Sequence, residues 1–269
     1  MPISSRSSAP ALCVAALAAA SFAPASHALL FDENVTPDVI FGSGNTNGSF
    51  TVDRANNVEL GLRGKLRHNA LGQPENTFNS NGDGTYNFAA GVAPLQSAPT
   101  AVWSVEWSIN SDLTDQSGTP GRALKDLTYL LSFDTDPSLG TSFIGFDPIN
   151  GANAGAGGAV LWDHALGTNL TGNGGGTSYN TVVDYANGIA SNNVAQNSWK
   201  AHWVFGAGFD PTVDGTYDVS LAAFDGAREV ARSSIQIIVG AGGSTPVPEP
   251  ATLGLAAVAL LGMARRRRA

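Results

Sequence analysis

The sequence predicts an all-β fold, an antiparallel β-sandwich or jelly roll, and three observations carry that reading. The chain holds 32 Gly and 14 Pro with only 13% charged residues, too few charges for solvent-exposed helices. Several segments alternate apolar and polar residues with period 2, as half-buried strands do. Gly, Asn and Asp turn signals separate them, without long helical periods.

Taken in order, the first such segment is Thr85–Phe88, which follows the turn sequence Asn81-Gly82-Asp83-Gly84. In 101–110, Trp103, Val105, Trp107 and Ile109 share one face, opposite Ser104, Glu106 and Ser108. In 127–133, Leu127, Tyr129, Leu131 and Phe133 line up. In 198–205, Trp199, Ala201, Trp203 and Phe205 alternate with Lys200 and His202, which predicts a further strand with His202 facing solvent. Tyr217, Val219, Leu221 and Ala223 then alternate with Asp218 and Ser220, and Ile235, Ile237 and Val239 with Ser234 and Gln236. Between these last two strands lies Asp225-Gly226, a pair favoured in tight hairpins. Residues 151–158 and 169–176 are Gly-rich loops flanking an apolar stretch, and no internal repeat of fixed period occurs.

Both ends of the chain read as targeting segments. Arg6 supplies a positive n-region, Ala9–Phe22 an apolar h-region, and Ser26-His27-Ala28 the small residues read by signal peptidase, so cleavage is expected after Ala28. Cys13 is the chain's one cysteine and leaves with this segment, so the mature protein has no disulfide and relies on its core. Residues 29–240 then form the β-sandwich ectodomain, 241–246 a linker and 247–269 a C-terminal tail. About 215 residues suffice for one large sandwich.

The tail reads Val247-Pro248-Glu249-Pro250, an uncharged run Ala251–Ala264, then Arg265, Arg266, Arg267 and Arg268. At about 1.5 Å per residue the run spans roughly 21 Å, short of the ~20 apolar residues that cross a bilayer comfortably. Such a span suits a transient signal better than a permanent anchor. The arginines stay on the cytoplasmic side, and the two prolines hold the entry to the run extended. These three features in this order resemble the PEP-CTERM protein-sorting signal of Gram-negative bacteria. The resemblance implies transient insertion in the inner membrane through the C-terminal helix and recognition by an exosortase. It further implies removal of the tail and delivery to the outer surface or extracellular matrix.

Two further likenesses lie in the ectodomain. The stretch from Gly215 to Val239 looks like the closing hairpin of Ig-like and PKD-type modules. Phe133-Asp134-Thr135-Asp136-Pro137, Phe146-Asp147-Pro148 and 193–199 resemble segments of a β-rich group of PEP-CTERM proteins, a likeness that brings no activity with it.

Without Arg6 and the terminal arginines, nine of the 14 basic residues remain, and without Glu249, 21 of the 22 acidic ones, a mature net charge of about −12. That surface repels nucleic acid, which is excluded as a partner. Thiol catalysis is excluded with Cys13. His68, His164 and His202 stand alone in the sequence, without zinc-ligand spacing, and no nucleophile elbow or phosphate loop occurs. Asn79, Asn81 and Asp83, with Gly84, place oxygens at alternate positions, like the first half of a calcium loop, and no bidentate Glu follows. Asn, Asp and Gly are equally the residues that form turns. Asp134, Asp136, Asp147, Asp210 and Asp214 are further oxygen donors beside turns.

The expectation is a non-enzymatic surface or matrix protein associated with extracellular polysaccharide or biofilm, with signal peptidase and an exosortase as processing partners. No cofactor is expected beyond calcium. The alternative is a calcium-assisted carbohydrate-binding module. Four of the five tryptophans fall on apolar strand faces, where core packing is expected. Trp162, between the Gly-rich loops, is the candidate sugar platform. A polysaccharide hydrolase is the third reading, and nothing selects one carboxylate pair for it.

Overall fold

The computed structural model describes residues 28–150 and 164–244. Among these, β1 (Leu30–Glu33), β2 (Phe50–Ala55), β3 (Val58–Leu66), β5 (Trp103–Asn110), β9 (Val194–Lys200) and β8 (Ala165–Gly167) form one sheet in that spatial order. A second sheet runs β4 (Thr85–Phe88), β11 (Arg228–Val239), β10 (Gly215–Asp225), β6 (Thr128–Asp134), β7 (Phe143–Phe146). The two sheets face each other as a β-sandwich, mostly antiparallel. The exception is one edge, where β4 runs parallel to β11. A parallel pair needs a crossover rather than a hairpin, and the chain makes one by running through the other sheet and back between β4 and β11.

The period-2 segments supply the core. Trp103, Val105, Trp107 and Ile109 of β5 are buried beside Leu60 and Leu62 of β3, and meet Leu131, Phe133, Tyr217, Val219 and Ile237 from the second sheet. The β10–β11 hairpin closes where Asp225 pairs with Arg228, with Gly226 at φ +59°. That left-handed position favours glycine.

The centre of the six-stranded sheet is buried on both faces, since β5 is buried along its whole length and β3 at every residue but the last. Its outer face is polar. The segment from Asn34 to Ser49 lies across it as a strap with almost no secondary structure of its own. The sheet's side chains satisfy the strap's backbone. Ile40 N donates to Gln196 Oε1 (2.8 Å), and Gln196 Nε2 donates to the Asp38 carbonyl (2.8 Å). Thr36 N donates to Glu59 Oε1 (2.6 Å), and Arg63 Nη1 donates to the carbonyls of Thr46 (3.0 Å) and Gly48 (2.6 Å). A buried strap without a ladder would leave orphan polar groups, and the outer face answers several of them. Val35, Val39, Phe50 and Val52 add a small apolar cluster beneath it.

One element differs from expectation, and two others carry no strand signal of the kind read in the sequence. The alternation in 198–205 does not continue as a strand: β9 stops at Lys200, and α2 (Ala201–Phe205) turns the chain aside. A second helix, α1 (Val182–Ser191), is capped by Thr181, whose Oγ1 accepts from Asp184 N (3.1 Å). The β2–β3 hairpin turns on Asn56 and Asn57, at φ +50° and +64°. Both are asparagines, the non-glycine residue most tolerant of that region.

Candidate functional site

The tryptophans sort into core and surface. Trp103, Trp107 and Trp199 are at most 4% exposed, whereas Trp203 is 55% exposed. Trp107 packs on Trp199 with ring centroids 5.5 Å apart, and Trp103 contacts Phe88, Phe205, Phe209 and Tyr217. Trp203 departs from the expected core position because α2 rotates it outward. Trp162, the expected sugar platform, lies outside the described residues.

The histidines are not the surface residues their isolation in sequence suggests. His164 is buried, with Nε2 2.9 Å from the Tyr185 hydroxyl and its ring 5.6 Å from that of Trp107. Tyr185 Oη donates to the Ile149 carbonyl (2.8 Å), and burial raises its pKa. His68 is buried where the chain leaves β3, and His202 is half-buried on α2 rather than solvent-facing on a strand.

Asn79, Asn81 and Asp83 lie in one exposed turn closed by a bridge between Ser80 and Tyr86. Asp83 Oδ1 accepts from Thr85 N (3.0 Å) and Thr85 Oγ1 (2.7 Å), which holds its carboxyl below the usual value. Asn81 Oδ1 accepts from Asn87 Nδ2 (3.1 Å), and Asn79 Nδ2 donates to the Asn87 carbonyl (2.9 Å). A calcium ion there would compete with bonds that already shape the turn. Asp134 Oδ1 accepts from Asp136 N (3.0 Å) and Ser142 N (2.7 Å). Asp147 accepts from Tyr129 N, Ile149 N and Asn150 N. Asp210 accepts from Thr212 N (2.9 Å). Among the described residues no three His, Cys, Asp or Glu side chains come together as a metal site.

The residues expected to direct sorting (Val247, Pro248, Glu249, Pro250 and Arg265–Arg268) lie outside the described residues. The fold ends well ahead of them, since β11 stops at Val239 and Gly240 N donates back to the Phe88 carbonyl (2.8 Å). At the other end β1 opens at Leu30, and Ala28, the expected signal-cleavage residue, is exposed. The last described strand thus ends ahead of the expected sorting residues.

Residues 246–268 match the PEP-CTERM protein-sorting motif.

The match covers the tail at almost the boundaries expected from its three features, and starts seven residues after the last strand. A PEP-CTERM motif marks an exported protein that is held transiently in the membrane and processed by an exosortase. Among the described residues no helix is long and apolar enough to cross a membrane. No curated protein and no solved structure matches the chain at a significant level.

Proposed function

We propose that the protein is a non-enzymatic component of the outer surface or extracellular matrix of a Gram-negative bacterium, associated there with exopolysaccharide. Signal peptidase frees it at Ala28 and an exosortase near Pro248. The observation that carries this reading is the PEP-CTERM motif at 246–268, set behind the last described strand. Both cuts would spare the fold, because they fall outside the span from Leu30 to Val239 that holds every described strand. The acidic ectodomain supports it too, as such a surface stays soluble and avoids anionic lipid.

Fractionation of the host with antibody to the ectodomain tests this. The sandwich is expected in the outer-surface or matrix fraction, and in the inner membrane when the exosortase is deleted. Recovery from the inner membrane of normal cells would overturn the reading.

A further inference from the structure

The exit of β3, the end of β9 and the start of α2 meet at one corner of the six-stranded sheet. Ser104 of β5 pairs with Lys65 on one side and Lys200 on the other, so the three form a row across the sheet. Just beyond it, Arg67 N and His68 N both donate to the Val102 carbonyl (2.7 and 2.9 Å), tying the β3 exit to β5. Lys200 ends β9 and precedes α2, which places His202 and Trp203 beside it. Lys200 Nζ sits 5.4 Å from the Trp203 ring centroid, and the His202 and Trp203 rings are 6.0 Å apart.

Two cations at this corner, Arg67 and Lys200, are not in ion pairs, on an acidic protein. Arg54, Arg63, Lys65, Lys125 and Arg232 each have a carboxylate partner. Arg67 and Lys200 form no ion pair or side-chain hydrogen bond with any described residue. His68 is 7% exposed, and its Nδ1 donates to the Gly72 carbonyl (3.2 Å), since a carbonyl only accepts. Its Nε2 is buried and has no hydrogen-bond partner, and neither has His202 Nδ1. Buried polar atoms are rarely left unpaired, but burial keeps both rings neutral near pH 7, so the charge at this corner is that of Arg67 and Lys200. Burial, with Lys200 and Arg67, depresses the pKa of His68. His68 also lines an open cleft of about 520 Å³ with Leu66, Asn69, Leu71, Pro94 and one carboxylate, Glu75, whose side chain accepts from Asn69 and Thr77.

Trp203 makes the ligand class specific. A flat aromatic ring left 55% exposed beside Lys200 offers an apolar face for a sugar's C–H groups, with an ammonium donor for its acidic substituent. We propose that Arg67, His68, Lys200, His202 and Trp203 form a binding site for an anionic saccharide, one bearing a carboxylate as in a uronic acid polymer. The proposal deepens the surface reading, on which it rests for the ligand's availability, by naming what the protein would hold there.

Calorimetry with polygalacturonate, dextran and inorganic phosphate tests it. The full chain is used, with Arg265→Gln through Arg268→Gln in every sample so that the tail supplies no charge. Polygalacturonate is expected to bind and dextran not to bind. Lys200→Gln, Arg67→Gln and Trp203→Ala should each weaken binding about tenfold, with melting temperature unchanged for Trp203→Ala. Raising NaCl from about 50 to about 500 mM should weaken it as well. Absence of polygalacturonate binding would overturn the site. So would binding that survives Trp203→Ala and is matched by phosphate, which would make it a plain anion site. Either failure leaves the fractionation result, and with it the surface reading, untouched.

Discussion

Arg63 is fully buried, yet its guanidinium is held on every side. It lies between the rings of Phe50 and Phe78, with centroids at 4.0 and 3.9 Å; Nε donates to Glu106 Oε2 (2.7 Å), and Nη2 forms an ion pair with the same oxygen at 2.6 Å. Burial lowers its pKa, but an arginine keeps its charge. Removing one partner of a buried pair strands the other, so Arg63→Ala should cost about 3–5 kcal/mol in urea melts. Arg232, whose side chain is 43% exposed, pairs with Glu229 at the surface, and Arg232→Ala should change stability by less than about 1 kcal/mol. Trp107→Ala should cost about 3–5 kcal/mol by truncating a ring with no exposure, and Trp203→Ala under about 0.5 kcal/mol. Equal loss for both would show that α2 does not place Trp203 outside.

The histidines set a pH dependence with a definite sign. Burial lowers His68 and His202, helped by Lys200 and Arg67 for the first and by Lys200 and His68 for the second. Unfolding returns both to about 6.5, so the unfolded chain binds more protons. The stability gained by keeping them neutral is complete above about pH 6.5 and is lost as pH falls through their folded values. The urea midpoint should therefore be lower at about pH 5.5 than at about pH 7.5. The double variant His68→Gln, His202→Gln should flatten that difference.

At the scale of elements, the strap depends on rungs of the sheet beneath it. Gln196→Leu leaves Ile40 N and the Asp38 carbonyl without their partner, at about 1–3 kcal/mol for each group left unsatisfied. Amide exchange should quicken across 35–48 and stay slow in β10 and β11. Uniform quickening would mean that the strap is not a separate unit.

Some of these elements were legible in the sequence and some were not. β5, β10 and β11 were, because one face of each is apolar and the other polar. β3 was not, because Glu59, Arg63 and Lys65 look like surface residues and are buried only once the strap covers them. The 198–205 alternation fits period 2 throughout, and only tertiary context bends it at Ala201. The cationic corner was half visible as Lys200, His202 and Trp203, while Arg67 and His68 join it through sheet register that no local pattern encodes.

At the scale of the molecule, the sandwich and the sorting tail are separate in sequence and in task. Intact mass of the surface form should show loss of residues 1–28 and of Arg265–Arg268, with the cut near Pro248. Replacing Pro248, Glu249 and Pro250 with Ala should retain the tail and hold the protein in the inner membrane. A tetra-arginine tail on surface-located protein would count against exosortase processing.

The strap also imposes an order in time. Ile40 is bonded to a side chain 156 residues further along the chain. A protein threaded through the membrane from its N-terminus delivers the strap early and β9 late. Until β9 pairs with β5, the strap has no Gln196 to bind, and Arg63 and Glu106 remain in water. So distant a contact makes folding slow, and the sheet's cover can be fastened only after nearly the whole ectodomain has crossed. A chain stalled halfway through translocation would expose both the uncovered sheet and an unanchored N-terminal segment to proteases on the far side of the membrane.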